Sequence, residues 1–200
     1  MTASARSTAT ARLNAPSLIA WGTLAAAVAL ALAYPVLYLM VAGEPLKIFA
    51  LPGVETVNSV VAASIGALVV SRLPRHPVGW LLLGEGFFIG LNGTGALYAI
   101  YATFVQPQTA PLGVFAGWLS GWDYIPNIAC LSLTILLFPD GRLPSPRWRA
   151  AAVFIVVAAI AWVLLAAVVQ PAMGITFIDH SGQMGGLSAT KNPTYDLLYA

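Results

Sequence analysis

The sequence predicts an all-α protein, a polytopic bundle of transmembrane helices, and three observations predict it. Of 200 residues, 59% are hydrophobic and only 8% are charged, with a mean hydropathy of +0.83. A soluble domain carries roughly 25% charged residues because its surface faces water; this chain has too few to clothe one, so lipid must cover it. Five apolar runs approach or exceed the roughly 20 residues that a helix needs to cross a hydrocarbon core about 30 Å thick. The basic residues, finally, gather on one side of those runs.

Residues 1–16 read as a cytoplasmic tail carrying Arg6 and Arg12. The first run, 17–42, exceeds the 7–15 or so apolar residues of a signal peptide, so it is a retained helix. Pro35 is expected to kink it, as membrane helices tolerate when neighbours satisfy the freed carbonyl. The second run, 55–71, is short and opens on polar residues that include Asn58 and Ser59; a re-entrant segment is its alternative. The third, 78–104, has Trp80, Tyr98 and Tyr101 near its ends, where amphipathic rings favour the interface. The fourth, 122–138, has Pro126 near its entrance, and the fifth, 149–169, is dominated by Ala, Val, Ile and Leu. Residues 170–192 form a polar, Gly-rich extracytoplasmic loop, and 193–200 read as the opening of a further span. The expectation is five complete spans plus the start of a sixth, within a longer protein.

Cytoplasmic loops carry an excess of Lys and Arg. With the N-terminus inside and each run crossing once, Arg6, Arg12, Arg72, Arg75, Arg142, Arg147 and Arg149 fall inside and only Lys47 and Lys191 outside, seven against two. If the second run did not cross, the basic loops 72–77 and 139–149 would lie outside. That makes it a span, and places the chain in a bacterial cytoplasmic membrane with its N-terminus cytoplasmic.

Composition also removes function classes. Nine basic residues make topology determinants rather than a nucleic-acid face, so no nucleic-acid partner is expected. Cys130 is the single cysteine, which rules out an intrachain disulfide and any Cys/His metal spacing. The outer loop holds Asp179 and His180, but one acid beside one histidine is no metal site. No Ser/His/Asp or Cys/His set occurs, so no catalytic residue and no metal site are assigned.

Glu85 is the one acid well inside a predicted span. An intramembrane ionisable group is a functional candidate by default; the structural alternative is a Glu that hydrogen-bonds a neighbouring helix or reaches Arg72 or Arg75. Gly84, Gly86, Gly90, Gly93 and Gly95 crowd the same helix, and the Gly86-x-x-x-Gly90 spacing permits close backbone approach in lipid. A phosphate-cradling glycine loop would follow a strand and face water, so helix packing is favoured, with a small ligand pocket between helices as runner-up. Asn92 and Thr94 add polar groups that should bond adjacent helices. Asp123, among Trp118, Trp122 and Tyr124, sits at the outer entrance of the fourth run, where interfacial anchoring explains the aromatics.

Two inside loops share a tripeptide: Arg72-Leu73-Pro74 recurs as Arg142-Leu143-Pro144, each ahead of a helix with an early Trp, Trp80 or Trp148. A parallel repeat of two helical hairpins would produce this, as would common turn chemistry. Pro139-Asp140-Gly141 is strong turn chemistry, and Pro144 and Pro146 forbid helix until Arg147. The bland reading is a stiff reversal anchored at the headgroups by Arg147, Trp148 and Arg149; the sharper one is a contact surface for a cytoplasmic domain.

The stretches Arg75-His76-Pro77-Val78-Gly79-Trp80-Leu81-Leu82-Leu83 and Leu137-Phe138-Pro139-Asp140-Gly141-Arg142-Leu143-Pro144-Ser145-Pro146-Arg147-Trp148-Arg149 resemble the N-terminal membrane module of bacterial sensor histidine kinases of the actinobacterial and Chloroflexi type. The resemblance covers about residues 60–170, and the second stretch is the more specific. It implies a sensory or anchoring input module ahead of a cytoplasmic dimerisation helix and an ATP-binding kinase domain. It also implies a homodimer, membrane lipid as environment, a response regulator as partner, and ATP and Mg as cofactors of the kinase domain alone. The 200 residues hold neither an H-box histidine in a helical dimerisation context nor a Gly-rich ATP lid, so such output is expected elsewhere in the protein. His76, in the Asn/His position of the first motif, has a turn-and-cap role rather than a phosphoacceptor role. The alternative function is a small multi-pass transporter or channel-like protein.

Overall fold

The computed structural model describes residues 15–41, 53–106 and 112–169. The N-terminal tail through residue 14, Lys47, the loop 170–192 with Asp179, His180 and Lys191, and the run 193–200 lie outside the described residues. Among those described, every regular element is helical: α1 (Ala15–Val41), α2 (Val54–Arg72), α3 (Pro77–Ile100), α4 (Gly113–Ser120), α5 (Tyr124–Leu137) and α6 (Trp148–Leu164). A π-helical turn, Tyr101–Val105, extends α3, and another, Leu165–Val169, extends α6.

Proline sets several boundaries. α2 ends ahead of Pro74, because the residue before a proline is pushed out of the α region, and the Leu73 N–H closes the last turn on the Val69 carbonyl at 2.7 Å. Pro77 then opens α3, where its fixed φ suits a helix start and its missing N–H is no loss. α1 continues through Pro35. That ring cannot donate to the Ala31 carbonyl, and Thr94 of α3 donates to the neighbouring Leu30 carbonyl at 3.0 Å.

Among the described residues three helices are long and apolar enough to cross a membrane: α1, α2 and the stretch Trp148–Val168 formed by α6 and its π-helical turn. The expectation of five complete spans is corrected accordingly. The fourth run falls short: an eight-residue α4, not expected from sequence, ends at Ser120, a turn covers Gly121–Asp123, and α5, the helix within 122–138, has only 14 residues. At 1.5 Å per residue that is about 21 Å, short of a roughly 30 Å core. α3 has the length, with 24 residues, but glycines, Glu85, Asn92 and Thr94 dilute its apolarity. The physical reason is its position. α3 is the central helix and packs against α1, α2, α4 and α5, so much of its surface meets protein rather than lipid.

Two apolar clusters hold α1, α2 and α3 together. Ala20, Ala67, Val70 and Leu83 form one, backed by Leu24 and Trp80. Tyr34, Val41, Leu97 and Ile100 form the other, backed by Leu37 and Tyr101. Between these clusters the α2–α3 seam is lined by small residues. A Cβ added to Gly86 would lie 2.5 Å from the Ala63 nitrogen and from the Ser59 carbonyl oxygen, and one on Gly66 would lie 2.5 Å from the Leu83 nitrogen. Backbones therefore meet directly, and the Ser59 hydroxyl donates to the Gly86 carbonyl at 2.7 Å. The outward faces are different in kind: Leu32, Leu39, Phe154 and Ile135 are each about two-thirds or more exposed. Apolar surface on this scale, spread over several helices, fits a lipid environment. α6 packs chiefly on α5, and none of its residues is buried.

The two Arg-Leu-Pro loops meet different ends. Trp80 is half-buried and its indole N–H donates to the Pro74 carbonyl at 2.9 Å, whereas Trp148 is exposed. The α2–α3 hairpin is tightly packed and the α5–α6 hairpin loosely so.

Candidate functional site

The candidate polar residues lie on α3, and its neighbours bond them one by one. The Glu85 side chain hydrogen-bonds that of Asn58 on α2, and its backbone carbonyl accepts from the Asn127 amide of α5 at 3.0 Å. Its partner is thus an asparagine, not the Arg72 or Arg75 weighed from sequence. Cys130 packs beside this point, its Sγ 3.0 Å from where a Cβ on Gly84 would stand. Seven residues along α3, the Asn92 amide donates to the Ser120 carbonyl at 3.1 Å and also to Asp123 Oδ1. Asn92 and Asp123, singled out separately, are therefore one unit joining α3 to the α4–α5 turn.

Asp123 does not face the interface: it is fully buried. Its second oxygen, Oδ2, and the indole N–H of Trp122 are buried without a hydrogen-bond partner among the described residues. Trp118 donates to the Ala167 carbonyl at 3.1 Å, tying α4 to the π-helical turn after α6. The aromatic cluster around Asp123 is thus held by Trp118–Trp122 edge packing, with centroids 5.3 Å apart.

Sequence reasoning missed Glu55 and Tyr34. Both face Gly93 of α3, and Glu55 Oε2 and the Tyr34 hydroxyl are buried without a partner among the described residues. A signal existed: Glu55, Ser59, Ala62, Ala63 and Gly66 recur at spacings of three, four, seven and eleven, which places them on one face of α2. That face carries the whole α2–α3 seam. An apolar cleft of about 680 Å³ opens between α1, α3 and α4, lined by Leu30, Leu91, Thr94, Tyr98 and Phe115 among others; it is the structural counterpart of the ligand-pocket reading.

The motif residues gather at one end of the bundle. Pro16, the loop Arg72–Pro77 and the turn Asp140–Arg142 line a cavity of about 820 Å³. Gly141 adopts φ +70°, and a Cβ there would lie 2.8 Å from Pro77 Cδ and 3.3 Å from His76 Nε2. Glycine is needed on both counts: the left-handed backbone and the approach of the α2–α3 loop. The Gly141 N–H closes the turn on the Leu137 carbonyl at 2.8 Å, after a cis Phe138–Pro139 bond. His76, Pro77, Gly141 and Arg142 are thus brought together. Gly79 packs on Val69 and Val70 of α2, and Trp80 closes its own loop. Phe138, Pro139, Leu143, Pro144, Arg147 and Trp148 do not line the cavity.

No family model, curated protein or solved structure matches this chain. Function is therefore read from the site's own chemistry. Among the described residues no three His, Cys, Asp or Glu side chains come together to hold a metal ion. The arrangement offers two things: acids sequestered between packed helices, and a basic cavity where two loops meet.

Proposed function

We propose that the chain is the membrane-embedded sensory or anchoring input module of a signal-transduction histidine kinase, with the ATP-dependent output in a separate cytoplasmic part of the same protein. The observation that carries this reading is the meeting of the two motif stretches, 75–83 and 137–149, at one cavity through His76, Pro77 and Gly141. In this reading the cavity end is cytoplasmic, α3 and the paired α4 and α5 supply the remaining crossings, and the assembly is a homodimer that hands phosphate to a response regulator. A stimulus would act by favouring one helix packing over another.

The test is phosphorylation of the full reading frame in membrane vesicles with labelled ATP and Mg. Acid-labile phosphohistidine in a cytoplasmic segment is expected; a complete frame without an ATPase domain overturns the reading. Phosphatase fusions within 72–77 and 139–149 should be inactive in cells, and active fusions overturn the orientation. Within such a kinase, Glu85→Gln keeps a partner for Asn58 while removing the ionisable group, so output is expected to be unchanged. A lost stimulus response would instead make Glu85 a sensing residue.

The transporter reading draws on the sequestered acids Glu55, Glu85 and Asp123. Asn58, Asn92, Ser59 and Thr94, however, are committed to helix-to-helix hydrogen bonds, which leaves little to line a water path. Solute flux in liposomes would favour it.

A further inference from the structure

The cavity where the two loops meet has a chemistry of its own, which does not depend on the kinase reading. Its lining carries three arginines, Arg72, Arg75 and Arg142, together with His76, against a single acid, Asp140. All three arginines are exposed at the cavity rather than folded under the helices, and they reach it from two loops. His76 Nδ1 is buried without a partner among the described residues. α3 starts here too: His76 is its N-cap in an extended conformation and makes no side-chain cap, so the partial positive charge of the helix N-terminus adds to that of the guanidinium groups. The prolines Pro16, Pro74 and Pro77 stiffen the walls and bring no competing N–H.

We propose that this cavity is a binding site for a phosphate-bearing anion, held by Arg72, Arg75 and Arg142. A guanidinium fork matches phosphate oxygens two at a time, and arginines from both loops line the same cavity. The cavity lies at the end of helices long enough to cross a membrane, where the headgroup of an anionic phospholipid presents a phosphodiester; a free phosphate presents the same chemistry from solution. Basic pockets at the ends of membrane helices bind anionic headgroups in this way.

The competing explanation is diffuse attraction between an anionic surface and any nearby arginine, and the sequence supplies its own control. Arg147 and Arg149 are exposed at the start of α6 and are absent from the cavity lining. The full chain is reconstituted in phosphatidylcholine nanodiscs doped with phosphatidylglycerol, and retained lipid is counted by native mass spectrometry; inorganic phosphate binding is measured by calorimetry. Arg72→Gln/Arg75→Gln/Arg142→Gln removes the charge-assisted bonds and should weaken binding by about a hundredfold or more, while Arg147→Gln/Arg149→Gln leaves it unchanged. The triple replacement by Lys keeps the charge and loses the forked geometry, so it too should weaken binding. Circular dichroism melts confirm that these surface variants fold. Arginine-dependent retention of phosphatidylglycerol assigns the headgroup as ligand, and arginine-dependent binding of inorganic phosphate alone assigns a soluble one. Equal losses in the Arg147/Arg149 variant, full binding in the Lys variant, or no loss in the Gln triple overturns the site.

Discussion

Gly86→Val is expected to force α2 and α3 apart and to destabilise the protein by about 3 kcal/mol, at the upper end of what overpacking costs. The new Cβ would stand 2.5 Å from backbone atoms of Ser59 and Ala63. Backbone cannot swing aside as a side chain can, so the helices must separate. Separation also breaks the 2.7 Å bond from the Ser59 hydroxyl to the Gly86 carbonyl, which adds about 0.6 kcal/mol for a bond between membrane helices. The matched control is Gly22→Val on α1, where nothing lies within 4 Å of an added Cβ. Thermal unfolding of the purified protein in one detergent should place Gly86→Val well below wild type and Gly22→Val close to it. Equal melting of the two variants would mean that α2 and α3 are not held by backbone approach at this seam.

The second large effect belongs to Asn92. Asn92→Leu removes both amide hydrogens, leaving the Ser120 carbonyl without that donor and the Asp123 carboxylate, unpartnered at Oδ2, without the Asn92 bond at Oδ1. A buried acceptor stripped of its donor costs about 1–3 kcal/mol. The sign of the double variant is the sharper expectation. Asn92→Leu/Asp123→Leu replaces both partners by apolar groups, so it should be more stable than Asn92→Leu alone, since removing the stranded carboxylate relieves the penalty. A double-mutant cycle read by the same unfolding assay decides it; simple additivity would show that the pair is not coupled.

How much of this was legible beforehand follows from what each signal measures. Hydropathy reports contact with lipid. It located α1, α2 and α6, whose outer faces are apolar, and it marked 78–104 by length. It could not separate a helix that crosses lipid from one wrapped in other helices, which is why α3 reads as a span by size and as an interior helix by composition. The short helix α4 (Gly113–Ser120) was hidden because its eight residues are too few for a span and its Trp118 reads, with Trp122 and Tyr124, as an interfacial belt. Pairing was the other blind spot. Glu85, Asn92 and Asp123 were identifiable as polar residues in apolar runs, but Asn58, Ser120 and Asn127 became partners only through packing between segments 27–42 residues apart. Conversely, the shared turn chemistry of 72–77 and 138–144 was written in the sequence, and the fold joins those loops through Gly141 and His76.

The uneven attachment of the helices has a mechanical consequence. α1, α2 and α3 are locked by backbone-to-backbone approach and by hydrogen bonds between helices, so they transmit force as a single stiff plate. α6 rests mainly on α5 and has no buried residue, and the π-helical turn after it is held by the buried Ala166 and by the bond from Trp118 to Ala167. A push on this assembly would not bend the plate. It would be absorbed as twist and tilt of the outrigger, with Arg147 and Arg149 at its loose end and the Trp118 bond as its pivot.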